Sequence, residues 1–147
     1  MKKIMFSLWL AAVTTFASAQ VKDDGQELIN TFFDHYKNKG YEVALRYTLS
    51  TNRWIRPEGN EMNGIVLQLS KELVGIGEYI GYEELKSKRV GSRLRIASYL
   101  VYYQRDPIRF TFELYKSSGG WEFSDFKFDS NFDDEINESI KLTGDKE

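Results

Sequence analysis

SRLRIASYLVYYQR (Ser92–Arg105), IRFTFELYKS (Ile108–Ser117) and WEFSDFKFD (Trp121–Asp129) are the stretches whose reading decides the fold. All three are rich in aliphatic and aromatic residues. The breaks between them are short: Asp106-Pro107, then Ser118-Gly119-Gly120. Connections of that length join strands that neighbour each other and run in opposite directions, so the three read as an antiparallel meander. In the first, Leu94, Ile96, Ser98, Leu100 and Tyr102 share one face, with Arg93, Arg95, Ala97, Tyr99, Val101 and Tyr103 on the other. In the second, Ile108, Phe110, Phe112 and Leu114 oppose Arg109, Thr111, Glu113 and Tyr115. The third loses its period, because Trp121 and Phe123 have one parity and Phe126 and Phe128 the other. A bulge near Ser124-Asp125 puts all four rings on one face.

Upstream, Gly75-Ile76-Gly77 switches the period from helix to strand. Glu78–Arg89 reads as a long polar strand suited to a sheet edge. Before it the apolar residues recur at helical spacing. Leu28, Ile29, Phe32, Phe33 and Tyr36 make one face of a first helix, begun by Asp24 and Glu27 in a capping-box pattern and stopped by Gly40. A second helix fits Tyr41–Leu49 and a third Glu61–Leu73, with a Trp54-Ile55-Pro57 loop between them. The expected class is α+β, three N-terminal helices packed on a curved, roughly four-stranded antiparallel sheet. Downstream, Phe132, Ile136 and Ile140 permit a short terminal helix within an acidic tail from about residue 131.

The chain's 147 residues support one domain. Lys2-Lys3, the apolar run Ile4–Phe16 and Ala17-Ser18-Ala19 read as a signal peptide, residues 1–19, cleaved after Ala19. The expected location is therefore secreted or periplasmic, with no membrane span after cleavage and residues 20–147 as the domain. Cysteine is absent and histidine occurs once, as His35. That excludes a disulfide framework, a thiolate nucleophile and a His- or Cys-rich metal centre, so no cofactor or metal is expected. The net charge of −2 becomes more acidic once Lys2 and Lys3 are removed, which argues against nucleic acid as a partner.

The order of elements, together with Gly77-Glu78-Tyr79-Ile80-Gly81-Tyr82, Tyr99–Tyr103, Pro107, Arg109-Phe110, Tyr115-Lys116, Gly120-Trp121 and Phe126-Lys127-Phe128, resembles the NTF2-like (cystatin-like, cone-shaped) superfamily, in particular its small secreted bacterial members of uncharacterised function. The resemblance implies a sheet wrapped around the first helix, a pocket at the open end and frequent dimerisation through the sheet. It implies no single activity, because the fold hosts isomerases, dehydratases and non-catalytic modules.

An enzyme of the isomerase or dehydratase kind needs a base in the pocket beside a hydroxyl donor. The candidates are His35 or Asp34 near Tyr47, Tyr99 or Tyr102. Adjacent on a helix, Asp34 and His35 diverge by about 100° and do not act as a pair. The family's catalytic positions find no match, so no catalytic residue is assigned. The expected pocket lies between the first helix, the Trp54 loop and the sheet. Its lining is Phe33, His35, Tyr36 and Tyr47 with Trp54, Tyr102 and Phe112, suited to a small apolar or aromatic ligand. Arg93, Arg95 and Arg109 invite an acidic ligand, although pairing with Glu113 or Glu83 is the plainer reading. Asp129, Asn131, Asp133 and Glu135 imitate a calcium loop whose glycine and bidentate-acid positions fail. Tyr99, Val101, Tyr103 and Tyr115 form an expected stripe opposite the apolar ladder, a candidate homodimer interface. The expected role is a non-catalytic binding or interaction module, with the enzyme and a structural accessory of an envelope complex as alternatives.

Overall fold

A computed structural model of the chain describes residues 24–54 and 59–131. The signal-peptide segment, Ile55 and Pro57, and the terminal-helix residues Phe132, Ile136 and Ile140 lie outside the described residues. Three helices come first: α1 (Gln26–Lys39), α2 (Tyr41–Ser50) and α3 (Asn60–Glu72). Four strands follow: β1 (Tyr79–Val90), β2 (Leu94–Tyr103), β3 (Ile108–Ser117) and β4 (Gly120–Asp129). They form one antiparallel sheet in the order β1-β2-β3-β4. The expected α+β class and meander are what the chain adopts.

Local signals set the helix ends. Gly25 and Gly40 flank α1 with φ of 79° and 91°, a left-handed region that L side chains rarely enter. Asp24 works one residue earlier than a cap. Its Oδ1 accepts the Gln26 N–H at 3.2 Å, while the Gly25 carbonyl takes the Leu28 N–H. A Cβ on Gly25 would lie 2.9 Å from Leu114 Cδ1, so glycine here also allows the helix to start against the sheet.

The core is aromatic and sits on one face of the sheet. Phe32 of α1 lies 4.9 Å from Phe112, 5.7 Å from Phe126 and 6.2 Å from Phe110, measured between ring centroids. Edge-to-face arrangements dominate, the geometry that the ring quadrupole favours. Ile29, Leu45, Met62 and Leu69 complete the buried set from the helices. β4 carries the expected bulge. Glu113 pairs with Asp125 but Leu114 with Phe123, so Ser124 is the extra residue and Trp121, Phe123, Phe126 and Phe128 share the core-facing side.

The β2 faces are the reverse of those expected. Arg95, Ala97, Tyr99, Val101 and Tyr103 are buried, whereas Ile96 is exposed and Leu94, Leu100 and Tyr102 are half-buried. The cause is register: Ala97 stands opposite Phe112, Tyr99 opposite Phe110 and Val101 opposite Ile108, and residues directly opposite share a face.

Candidate functional site

The described residues expected to line a pocket are packed against one another or spread apart. Phe33 and Phe112 are core rings 5.8 Å apart, and Phe33 also stacks on Tyr82 at 3.6 Å. Tyr36 is buried, with its hydroxyl bonded to that of Tyr103. His35 and Tyr47 meet edge-to-face at 5.2 Å in the α1–α2 contact. Trp54 is 79% exposed, with Arg53 over its ring. Tyr102 lies on the helix-free face and donates to Glu83 at 3.0 Å. These rings interdigitate or point away from one another.

The expected interface stripe is corrected in the same way. Tyr99, Val101 and Tyr103 are buried under the helices, and only Tyr115 is exposed. Tyr115 stands opposite Leu94, on the other face of the sheet, so the four residues form no single patch.

The three arginines also separate. Arg109 makes a two-pronged pair with Asp129 on the helix-free face, with contacts of 2.9 and 3.2 Å. Arg93 donates to the Lys116 carbonyl. Arg95 is 4% exposed and sits under the start of α1. Its Nη2 donates to Gln26 Oε1 at 2.7 Å and to Glu84 Oε2 at 3.3 Å, its Nε donates to Ser87, and Asp24 Oδ1 lies 3.4 Å from Nη1. Tyr99 closes the cluster by donating to Glu84. The ionic partners of Arg95 are therefore Asp24 and Glu84, not Glu113 or Glu83. The cluster fastens a helix and leaves no arm of the guanidinium open for a ligand.

Of the calcium-loop imitation, Asp133 and Glu135 lie outside the described residues. Asp129 is engaged by Arg109 and by the Asn131 N–H. Among the described residues no group of three or more histidine, aspartate or glutamate side chains is placed to hold a metal ion. Nor is any described helix long and apolar enough to cross a membrane.

Several tyrosines carry hydroxyls that hold their protons tightly. Burial is the main cause for each: it pushes Tyr103 and Tyr99 up to about 12, and Tyr36 further still. Tyr79 rises to about 12, by burial and then by its neighbour Tyr82. At neutral pH these groups are hydrogen-bond donors, not bases. Asp34, the other candidate base, accepts from Asn38 one turn on.

Two hollows among the described residues lie elsewhere. A cavity of about 160 Å³ opens between α2, α3 and the β4 bulge. Leu45, Leu49, Met62, Ile65 and Phe126 make its apolar floor, and Thr48, Glu61, Ser124 and Asp125 its rim. Most of these polar groups are already committed. The Thr48 hydroxyl spends its proton on the Leu45 carbonyl at 2.6 Å, and Ser124 spends its own on Glu113. Asp125 is engaged as well, accepting the Phe126 N–H at 2.8 Å and pairing with Lys127 at 2.9 Å, which leaves Glu61 as the carboxylate here without an ion-pair partner among the described residues. Sequence reasoning placed the bulge but not the gap that lies between it, α2 and α3. A second, shallower hollow of about 310 Å³ lies by Ile76, Arg105 and Pro107, where Arg105 already pairs with Asp106. Comparison with protein-family models, with curated proteins and with solved structures returned no match.

Proposed function

We propose that this chain is a secreted or periplasmic binding module of the NTF2-like type, its sheet curved around α1 as a cone, and that the cavity at the β4 bulge is its seat. The observation that carries the reading is an apolar floor with the carboxylate of Glu61, unpaired among the described residues, beside it. Such a site takes a small apolar group bearing a hydrogen-bond donor or a cation, for example an alkylamine or arylamine. A volume near that of an engineered cavity that holds benzene, about 150 Å³, fits one ring or a short chain, not a drug-sized body. Binding is proposed over turnover because the hydroxyls at the rim are already committed to backbone and carboxylate partners. The export reading rests on the pattern of residues 1–19.

A panel of small amines and the matching carboxylic acids tests this by methyl NMR. Amines are expected to shift Met62 and Ile65, and acids are not. Ile65→Trp fills the floor and is expected to abolish the shifts, while Glu61→Gln weakens them severalfold. Shifts that persist in Ile65→Trp, or acids binding as well as amines, sink the proposal.

A further inference from the structure

Among the described residues β1 is the longest strand and has a sheet partner on one side only. The other outer strand, β4, is clasped at its bulge. The Phe123 N–H donates to Thr51 Oγ1 at 3.1 Å, and Asn52 donates to the Phe123 carbonyl at 3.0 Å. No such clasp runs along β1 among the described residues, and from Glu83 to Val90 every residue but Leu85 is exposed. An open edge of this length accepts another strand unless something guards it.

Edge lysines are the usual guard, and β1 has Lys86 and Lys88. Neither has an ion-pair partner among the described residues. The same strand carries Glu83 and Glu84 before them, so its charge order is acids first and bases after. Run antiparallel against itself, that order is self-complementary.

The bulge narrows the register. Gly81 and Glu83 stand opposite Tyr102 and Leu100 on the helix-free face. Beyond the irregularity at Leu85, the residues on that face are Lys86, Lys88 and Val90, opposite Ser98, Ile96 and Leu94. Odd numbers hold the face before Leu85 and even numbers after it. Two copies keep their faces aligned only if odd meets even, because opposite residues in an antiparallel ladder share a face. A two-fold axis between Leu85 and Lys86 satisfies this. Glu83 then meets Lys88 of the second copy, Glu84 meets Ser87, and Tyr82 meets Arg89. The neighbouring aligned register still sets Glu83 opposite a lysine, Lys86, and in neither do like charges face each other.

We infer that β1 pairs with β1 of a second copy of this chain across a two-fold axis at Leu85–Lys86, making one sheet continuous through both copies. The pairing of Gly81–Val90 forms about ten backbone hydrogen bonds. It does not depend on the cavity at the β4 bulge, on the opposite edge of the sheet.

Sedimentation over about a hundredfold range of protomer concentration is expected to show a monomer–dimer equilibrium. Glu83→Lys and Lys88→Glu each create two like-charge pairs across the axis and are expected to weaken association roughly tenfold or more. The double variant Glu83→Lys/Lys88→Glu restores opposite charges and is expected to restore wild-type association. The substituted side chains are exposed, so all three variants are expected to keep the wild-type circular dichroism. Because the chain has no cysteine, Lys86→Cys adds a single thiol beside the axis, where the two Cα atoms lie diagonally about 6 Å apart, within the range that suits a disulfide. Mild oxidation is then expected to trap a covalent dimer. A wild-type chain that stays monomeric overturns the inference, as does a dimer indifferent to both reversals. A double variant no better than the single ones overturns it equally.

Discussion

Helix α1 is fastened to the sheet at both ends, by opposite chemistries. At its start, the buried guanidinium of Arg95 is shared among Gln26, Glu84, Ser87 and Asp24. At its last turn, two neutral hydroxyls, Tyr36 and Tyr103, satisfy each other. Both links cross about the same sequence distance, 69 residues from Gln26 to Arg95 and 67 from Tyr36 to Tyr103. The lesson is one of risk. A buried charge with several partners is expensive to disturb, whereas a neutral pair removed together leaves no group stranded.

The largest expected effect breaks the charged end. Arg95→Ala leaves Glu84, Asp24 and the Gln26 side-chain Oε1 without their shared donor under α1. A loss of about 3 kcal/mol is expected in urea unfolding, at the low end of the range for broken buried pairs because Glu84 remains 43% exposed. A loss below about 1 kcal/mol would show that water already satisfies these acceptors and that the two ends differ less than argued.

The neutral end gives a smaller effect with a different signature. Tyr36→Phe or Tyr103→Phe alone is expected to cost about 1 kcal/mol, and the double variant little more than either single one. Burial raises both hydroxyls above their ordinary 10.0, so the folded protein binds these protons more tightly than the unfolded chain does. Their contribution is complete below that ordinary value and is lost as pH climbs through about 12 for Tyr103. Stability measured from neutral to strongly alkaline pH is therefore expected to fall above about pH 10, and less steeply in the double Phe variant. An unchanged alkaline slope in that variant would assign the fall to Tyr79 and Tyr99.

The three helices, the meander and the Ser124 bulge were legible because each has a local cause: apolar residues at 3.6 spacing, short turns, and four rings of mixed parity that only an extra residue reconciles. The inverted β2 faces had a local cause too, one step further on. β2 is apolar on both sides, so alternation alone does not choose between them. Any hairpin that sets an odd residue of β2 opposite an even residue of β3 makes Tyr99 share a face with Phe110, and Tyr115 then falls on the other side. Pairing across the turn, not alternation within the strand, carries that information. The cavity was not legible. It depends on how far α3 stands from β4, a distance set by packing between residues more than fifty positions apart in the chain, such as Met62 and Phe126.

The clasp of Thr51 and Asn52 on Phe123 bears on the order in which the molecule assembles. Every strand pairing in the sheet joins neighbours in the chain, so the meander closes through short loops. The clasp spans 71 and 72 residues, and each attachment of the helical layer is comparably distant. Closing a long loop costs entropy that grows only logarithmically with its length, but that cost falls due before any docking contact repays it. A transition state in which the sheet is formed and the helices are not yet seated follows from this topology. Stopped-flow kinetics would show it as Asn52→Ala speeding unfolding while leaving refolding nearly unchanged.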